Sequence, residues 1–315
     1  MQELTTTRHN PFIDPFTSVW GWEIPVYLFL GGLVAGLMII TGYFILKGKH
    51  KNPDSIVHYV PFLSILFLSI GMVALFLDLN HKLFVWRLYT TFQVTSPMSW
   101  GSWILLLVYP ALMANILIDP PHILKDNISL IAKWSRVINS KESYMNSIGL
   151  LNIIFGILLG IYTGVLLSTM GARPLWNSSV LWLLFLVSGL STAAAFGHMV
   201  AKDVHEREYL AKTDNSFLIS EFVVIILMLV GLMSSSQAHI KSAELLLGGP
   251  FTAPFWVFVV VMGIIIPLIV QLLAVNHKIK HTPVAPLFVI AGGLILRFVI
   301  VYAGQFSHYI NAHFQ

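Results

Sequence analysis

The sequence predicts an all-α polytopic membrane protein with eight transmembrane helices in a single integral membrane domain. Of its 315 residues, 57% are hydrophobic and 10% are charged, and the mean hydropathy is +0.80. A soluble domain carries about 25% charged residues. Cysteine is absent from the sequence, which excludes a thiol-ligated iron–sulfur cluster, a Cys-ligated zinc site and a disulfide within it.

Eight apolar stretches define the predicted spans. A helix that crosses the hydrocarbon needs about 20 apolar residues, and lipid offers no partner to an unpaired backbone group, so each stretch is predicted to be helical. The spans lie near residues 23–46, 57–79, 100–119, 148–170, 180–200, 217–237, 254–275 and 284–304. Residues 1–19 lack the apolar core of a signal peptide, so no cleaved leader is expected.

The long connection 120–147 is the exception to otherwise short loops. Basic residues surround its apolar run Ile128–Trp134. This pattern predicts a helix that lies on the membrane surface.

The distribution of basic residues predicts the orientation of the protein. Twelve of the 18 Lys and Arg residues fall in the loops after the first, third, fifth and seventh spans. Basic loops face the cytoplasm, so both termini are expected outside, in the periplasm of a bacterium whose inner (cytoplasmic) membrane holds the protein. These loops also account for the pI near 9.2, and nucleic acid is therefore not an expected partner.

Ionisable residues on four different spans are predicted to meet near the outer face. They are Glu23, Asp78, Tyr162 and Arg297, and Tyr27 lies one turn after Glu23 on the same helix face. Charge is costly in hydrocarbon, so such a group indicates a functional site. Tyr and Arg can donate to a carbonyl oxygen and a carboxylate can accept the released proton, which suits a head group that exchanges protons and electrons. Taken singly, the two acids could be hydrated boundary residues and Tyr162 a packing residue.

A sparser polar set is predicted in the inner half of the membrane. Glu221 and Asp119 could relay protons towards the outer site. The alternative is that such groups form hydrogen bonds between helices, and this is the favoured interpretation for Asn115, Asn152 and Gln271. For Glu221 the two interpretations are balanced.

The histidines disfavour haem. A transmembrane b-type cytochrome needs paired His ligands at matched depth on facing spans. Most of the 12 histidines fall in loops or tails, and His58 and His198 share a depth only at the cytoplasmic membrane edge. Neither haem nor another metal site is therefore expected in this protein.

Five segments resemble the NrfD/PsrC family, the membrane subunits of polysulfide-reductase-type complexes. They are WGWEIPVYLFLGG at 20–32, Asp78-Leu79, SPMSWG at 96–101, YTGVLL at 162–167 and ARPLW at 172–176. Members of the family often follow the aspartate with Leu-Gly-Arg-Pro, whereas this sequence has Leu79-Asn80-His81-Lys82. The geometry of that loop, which should meet a partner protein, therefore differs from the family pattern.

The resemblance implies a haem-free subunit that binds a menaquinone-type quinone near the outer face. It would exchange electrons there with an iron–sulfur subunit, which connects to a catalytic subunit carrying molybdenum or several haems. With the depth argument, this assigns catalytic roles to Glu23, Asp78 and Tyr162, quinone contacts to Tyr27, His81, Tyr162 and Arg297, and a proton path to Glu221, Asp119 and Arg297. The alternatives are a haem-binding or purely structural anchor, and a transporter or proton channel, which the off-centre position of the polar residues disfavours.

Overall fold

Eight long apolar helices form the body of the protein. The computed structural model describes residues 20–121, 127–275 and 283–307, and these contain helices and turns but no strand. The helices long enough to cross a membrane are α1 (Glu23–Leu46), α2 (Val60–Asp78), α3 (Pro97–Ile116), α4 (Glu142–Ser168), α5 (Leu181–Val200), α6 (Val204–Met233), α7 (Pro254–Val275) and α8 (Val284–Phe306). The predicted all-helical class and the predicted number of spans are therefore confirmed for the described residues.

The helix boundaries differ most from the prediction at the start of α6. This helix begins at Val204, whereas the apolar pattern predicted residue 217. Its first three turns carry charged residues, which hydropathy assigns to a loop, and the Asp203 carboxylate caps them by accepting from His205 N. Smaller differences occur at α3, where Pro97 fits the first helical turn, and at α4, which begins at Glu142 instead of 148.

Shorter helices cover both ends of the bundle. The predicted surface helix is confirmed as helical over Ser129–Asn139, with Leu130 and Trp134 exposed. It is tied to the end of α3 by Asn139 Nδ2, which donates to the Ile118 carbonyl at 2.9 Å. The other short helices and turns are Lys49–Lys51, Ile56–His58, Lys82–Phe84, Arg87–Thr90 and Gln237–Leu247.

The spans pack as two groups of four. In the first group, α1 and α3 each pack against α2 and α4, and in the second, α5 and α7 each pack against α6 and α8. Across the groups, α1 packs against α5 and α8, and α4 packs against α5. Small residues allow the closest approaches: Gly36 of α1 lies against Gly189 and Ala193 of α5, and Gly156 of α4 lies against the Ala35 carbonyl. We call α1–α4 the first bundle and α5–α8 the second bundle.

We call the two ends of the bundles the Trp20 face and the Lys49 face, after one residue at each end. At the Trp20 face, the Trp20 amide donates to Gln305 Oε1 at 2.9 Å, and Gln305 Nε2 donates to the Trp20 carbonyl at 3.0 Å, which joins the start of α1 to the end of α8. At the Lys49 face, Lys51 pairs with Glu142 at 3.0 Å, joining the end of α1 to the start of α4.

Candidate functional site at the Trp20 face

Two carboxylates lie together at the Trp20 face. Glu23 is the first residue of α1 and Asp78 is the last residue of α2, so the antiparallel packing of these helices brings them to one level. The two side chains are electrostatic neighbours and both are half-buried. The structure thus brings together the two acids that the sequence placed at the outer membrane boundary.

Two buried phenols lie one turn further into the first bundle. Tyr27 of α1 is 2% exposed and Tyr162 of α4 is 7% exposed. Their hydroxyl groups lie close enough to interact, yet Tyr27 Oη makes no hydrogen bond of regular geometry in the part of the protein that the structure describes. Gly101 of α3 makes room for the Tyr162 ring, because a methyl group at residue 101 would occupy the position of that ring.

A third phenol reaches this cluster from the connection between α2 and α3. Tyr89 lies in the short helix Arg87–Thr90, beside both buried tyrosines. The connection is fixed to α3 by Ser102 Oγ, which donates to the Leu88 carbonyl at 2.7 Å. Burial, with a smaller contribution from nearby Tyr109, raises the pKa of Tyr89, so its hydroxyl keeps its proton near neutral pH. No periodicity in the sequence marks this loop residue.

A cavity opens beside these groups, beyond the end of α2. Its volume is about 440 Å³, which lies within the usual range for small-molecule sites. Its walls are mainly apolar, and His81 lines it. The lining residues are Leu79, Asn80, His81, Phe84, Val85, Arg87, Leu88, Thr91, Ser96, Met98 and Ser99. His81 therefore faces the cavity in the connecting loop and is not part of the phenol pair.

Arg297 lies apart from the outer site, contrary to the prediction that it shares one level with Glu23. The guanidinium is 1% exposed and sits over the Phe185 ring at 4.9 Å. It donates to Ser188 Oγ, to the Phe185 carbonyl at 3.0 Å and to the Gly293 carbonyl at 3.2 Å. It also borders Gly32, five residues past Tyr27 on α1 and so about 7.5 Å deeper. Close packing between the bundles holds Arg297 at this depth.

Two buried acids on α6 extend the Arg297 cluster towards the Lys49 face. Glu221 is 4% exposed and interacts with Ser188 and Arg297. Asp214 is 0% exposed and lies seven residues earlier, on the same face of the helix. The seven-residue spacing is the sequence signal that could have identified Asp214, but the predicted span began after it.

Asp214 is held by donors from two other spans. Ser191 of α5 donates to its Oδ1 at 2.8 Å, and Gln271 of α7 donates to its Oδ2 at 2.7 Å. Gln271 therefore joins helices, as predicted. Together these contacts make a buried polar cluster in the second bundle, composed of Ser188, Ser191, Asp214, Glu221, Gln271 and Arg297.

Nearly the whole sequence matches a known family. A family model described as "Polysulphide reductase, NrfD" matches residues 9–308. The protein belongs to the NrfD family. The C subunit of polysulfide reductase from Wolinella succinogenes is 31% identical to it over 305 residues, an alignment that covers 92% of this sequence and 95% of the relative. The NrfD homologue of Haemophilus influenzae is 28% identical over 318 residues, and NrfD of Escherichia coli is 27% identical over 311, each alignment covering more than 90% of both proteins.

The remaining predicted residues of this NrfD-family protein lie elsewhere. Asp119, at the end of α3, pairs with His58 at 3.0 Å and its side chain is 58% exposed, so the structure does not bring it to Glu221. Asn115 Nδ2 donates to Thr41 Oγ1 at 3.4 Å and Asn152 Nδ2 to the Ala111 carbonyl at 3.2 Å. Both amides therefore join helices, as predicted.

Proposed function

We propose that this NrfD-family protein is the quinone-reactive membrane subunit of a respiratory oxidoreductase. The observation that carries the proposal is the convergence of two carboxylates, Glu23 and Asp78, with two buried phenols, Tyr27 and Tyr162, where α1, α2 and α4 meet at the Trp20 face. Acids that accept protons and phenols that donate hydrogen bonds are the groups that binding and deprotonating a quinol require.

The site fits a quinone head group on a structural criterion. Tyr27 Oη is buried without a partner among the described residues, and an unsatisfied buried hydroxyl costs about 1–3 kcal/mol, which a ligand carbonyl or hydroxyl would recover. A bound quinone would supply two-electron, two-proton redox chemistry, and a menaquinone-type ring is the ligand that we propose. The mainly apolar cavity next to Asp78 is not lined by the two carboxylates or the two phenols, and we propose that it takes the apolar part of the ligand.

Each side chain has a definite role in this proposal. Tyr27 and Tyr162 position the head group by donating to its oxygen atoms. Asp78 accepts, one after the other, the two protons that quinol oxidation releases, and the two electrons leave for the docked electron acceptor. Glu23, the electrostatic neighbour of Asp78 at the surface, passes each proton to water. We propose that His81 contacts the ligand from the cavity wall.

The partners follow from the position of the site. A site at the Trp20 face lets an electron acceptor dock close to the ring, so we propose that an iron–sulfur subunit binds there and connects to a catalytic subunit with molybdenum or several haems. The relative named as a polysulfide reductase subunit supports assembly in such a complex. Basic loops lie at the Lys49 face, which supports a position of the Trp20 face in the periplasm of a bacterial inner membrane.

Substitution of the site residues in the assembled complex tests the proposal. We expect Asp78→Asn to lower quinol-dependent electron transfer about 100-fold or more, because a positioned proton-transfer group contributes that much. We expect Tyr162→Phe to lower it about tenfold, the equivalent of one ligand hydrogen bond of about 1.4 kcal/mol. The matched control is Tyr302→Phe, a phenol of α8 that packs against Phe298. Retained turnover in both site variants, with assembly intact, would overturn the site assignment.

A second candidate function is proton movement through the second bundle. The specific observation is that Asp214, Glu221 and Arg297 are buried together with the hydroxyls of Ser188 and Ser191 between them. Buried ionisable groups inside a membrane bundle are typical of proton relays. We propose that Asp214, and not Asp119, carries protons in the predicted path. We also propose that Arg297 belongs to this proton path and not to the quinone site.

Proteoliposomes distinguish the two functions. We expect Asp214→Asn and Glu221→Gln to abolish proton uptake from the Lys49 face, while quinol oxidation with the membrane potential collapsed stays within about twofold of the wild type, well under the tenfold that 1.4 kcal/mol represents. Asp119→Asn is the control, since its carboxylate is exposed. Normal proton uptake in both cluster variants would eliminate this second function.

A further inference from the structure

A second cavity lies at the Lys49 face, far from the quinone site. It has a volume of about 340 Å³ and lies between the end of α1 and the first turns of α6. Its lining residues are Tyr43, Phe44, Lys47, Lys49, His205, Glu206 and Tyr209. The cavity therefore combines aromatic rings with both signs of charge, an unusual composition for a gap between packed helices.

The buried carboxylate of the cavity is incompletely paired. Glu206 is 1% exposed, and its Oε2 accepts from the Ile56 amide at 3.0 Å. Its Oε1 is buried with no hydrogen-bond partner in the described residues. A buried carboxylate oxygen that lacks a donor is costly, so a ligand that supplies an N–H or O–H group there would be stabilised.

Two lysines provide the opposite charge at the rim. Lys47 Nζ lies 5.6 Å from the centre of the Tyr43 ring, and Lys49 Nζ lies 4.0 Å from Asp203 Oδ2, at the limit of an ion pair. Each ammonium group has N–H donors that are still available, and phosphate oxygens could accept hydrogen bonds from them. An anionic ligand would face Glu206 and a cationic ligand would face the lysines, whereas a zwitterionic ligand satisfies both.

Exposed apolar side chains beside the cavity indicate where the rest of the ligand lies. Tyr209 lines the cavity and is 43% exposed, while Leu46 and Val204 are the sequence neighbours of the lining residues Lys47 and His205 and are 41% and 60% exposed. Leu46 is the last residue of α1, at the predicted edge of the hydrocarbon. A ligand with acyl chains could place them against these residues while its head group enters the cavity.

We propose that this cavity binds the head group of a zwitterionic phospholipid of the phosphatidylethanolamine type. The phosphate contacts Lys47 and Lys49, and the primary ammonium donates to Glu206 Oε1. The Tyr43 and Tyr209 rings, stacked with centres 5.9 Å apart, form the apolar wall beside the head group. The same head-group chemistry is present in free phosphoethanolamine, so the experiment includes both sources.

Lipid binding to the purified, delipidated full-length protein tests this site. Native mass spectrometry would measure the affinity for short-chain phosphatidylethanolamine, phosphatidylglycerol and phosphatidylcholine, with soluble phosphoethanolamine as a competitor. We expect phosphatidylethanolamine to bind about tenfold more tightly than the other two, because phosphatidylglycerol lacks the ammonium group and the quaternary ammonium of phosphatidylcholine has no N–H to donate. We expect phosphoethanolamine to compete weakly, since it lacks the acyl chains.

Substitutions separate the two halves of the head group. Glu206→Gln should remove the preference for phosphatidylethanolamine, since the amide still accepts from Ile56 but no longer attracts the ammonium. Lys47→Gln should weaken phosphatidylethanolamine and phosphatidylglycerol binding alike. The controls are Glu208→Gln on the same helix and Lys51→Gln, whose ammonium pairs with Glu142.

Three outcomes would overturn the proposal. They are equal affinity for the three lipids, an unchanged preference in Glu206→Gln, and competition by phosphoethanolamine at lipid-equivalent concentrations, which would indicate a soluble ligand. If Glu206→Gln fails to fold, Tyr209→Leu takes its place, because loss of one ring of the stacked pair should also lower the affinity for phosphatidylethanolamine. Unchanged affinity in that variant would count against the site.

Discussion

The two bundles place their acidic and basic residues in different ways. In the first bundle, Glu23 and Asp78 stand at helix ends, half-buried and next to a cavity. In the second, Arg297 and Asp214 lie within the membrane-spanning length, enclosed by donors and acceptors from neighbouring spans. Half-buried groups at helix ends are accessible to a ligand and to water, whereas an enclosed network is closed to a ligand of that size.

This difference indicates a division of labour. The first bundle leaves Tyr27 Oη without a partner among the described residues, a feature typical of a site that a ligand completes. In the second bundle, Asp214 and Arg297 each make hydrogen bonds to neighbouring helices, while Gln271 Oε1 and Arg297 Nε have no partner among the described residues. Such a network is typical of groups that hold helices together or pass protons along.

The largest expected effect is the loss of stability in Arg297→Met. The substitution removes the donors to Ser188 and Phe185 and leaves Glu221 without its cation. Breaking one side of a buried ionic network costs about 3–5 kcal/mol. Glu23→Gln, at the half-buried site, should cost less than about 1 kcal/mol. Thermal unfolding of the two variants in one detergent measures this contrast, and equal losses would contradict it.

A methyl group added at residue 101 in the first bundle should lower both stability and activity by displacing Tyr162. Gly101→Ala forces the phenol ring out of its position, and overpacking of this kind costs about 1–3 kcal/mol. Quinol oxidation should fall together with the stability. Gly231→Ala is the control, because nothing lies within 4 Å of the added methyl group there and the alanine favours the helix. A Gly101→Ala protein with unchanged turnover would separate Tyr162 from the chemistry.

The unpartnered hydroxyl should affect function without affecting stability. Tyr27→Phe removes a buried hydroxyl whose one close polar neighbour named among the described residues is the Tyr162 hydroxyl, with no regular hydrogen bond between them, so the unfolding temperature should change little. Quinol oxidation should nevertheless fall about tenfold, the equivalent of one ligand hydrogen bond of about 1.4 kcal/mol. If activity is kept, Tyr27 is a packing residue, and the division between the bundles loses its main support.

The smallest effect is expected at Asp119. Its carboxylate pairs with His58 at the Lys49 face and is 58% exposed. An exposed ion pair contributes about 0–1 kcal/mol, so Asp119→Asn should change neither the unfolding temperature nor proton uptake. A clear loss of proton uptake in this variant would return Asp119 to the path and place Asp214 in doubt.

The sequence predicted the number of spans and the outer pair of acids because both depend on local composition. An apolar stretch of sufficient length indicates a helix wherever it occurs, and Asp78 ends such a stretch. The meeting of Glu23 with Asp78 followed from counting depth along α1 and α2, which nearly straight helices make reliable.

The sequence could not place Arg297 or identify Asp214 and Tyr89, because these depend on packing. Counting residues along α8 places Arg297 at a depth similar to that of the outer residues. The close contact of α1 with α5, however, encloses its side chain beside Gly32. Asp214 lies in a polar stretch that hydropathy assigned to a loop. Tyr89 reaches the site only because Ser102 fixes the connecting loop on α3.

We propose above that the first bundle binds a quinol between Asp78 and Tyr162. The most direct measurement is a fluorescence titration of the complex with a quinol-site inhibitor of the hydroxyquinoline N-oxide class, for the wild type, Tyr162→Phe and the control Tyr302→Phe. We expect saturable binding that weakens about tenfold in Tyr162→Phe alone, the loss of roughly one hydrogen bond. No saturable binding to folded protein, or equal affinity in all three, would contradict the claim.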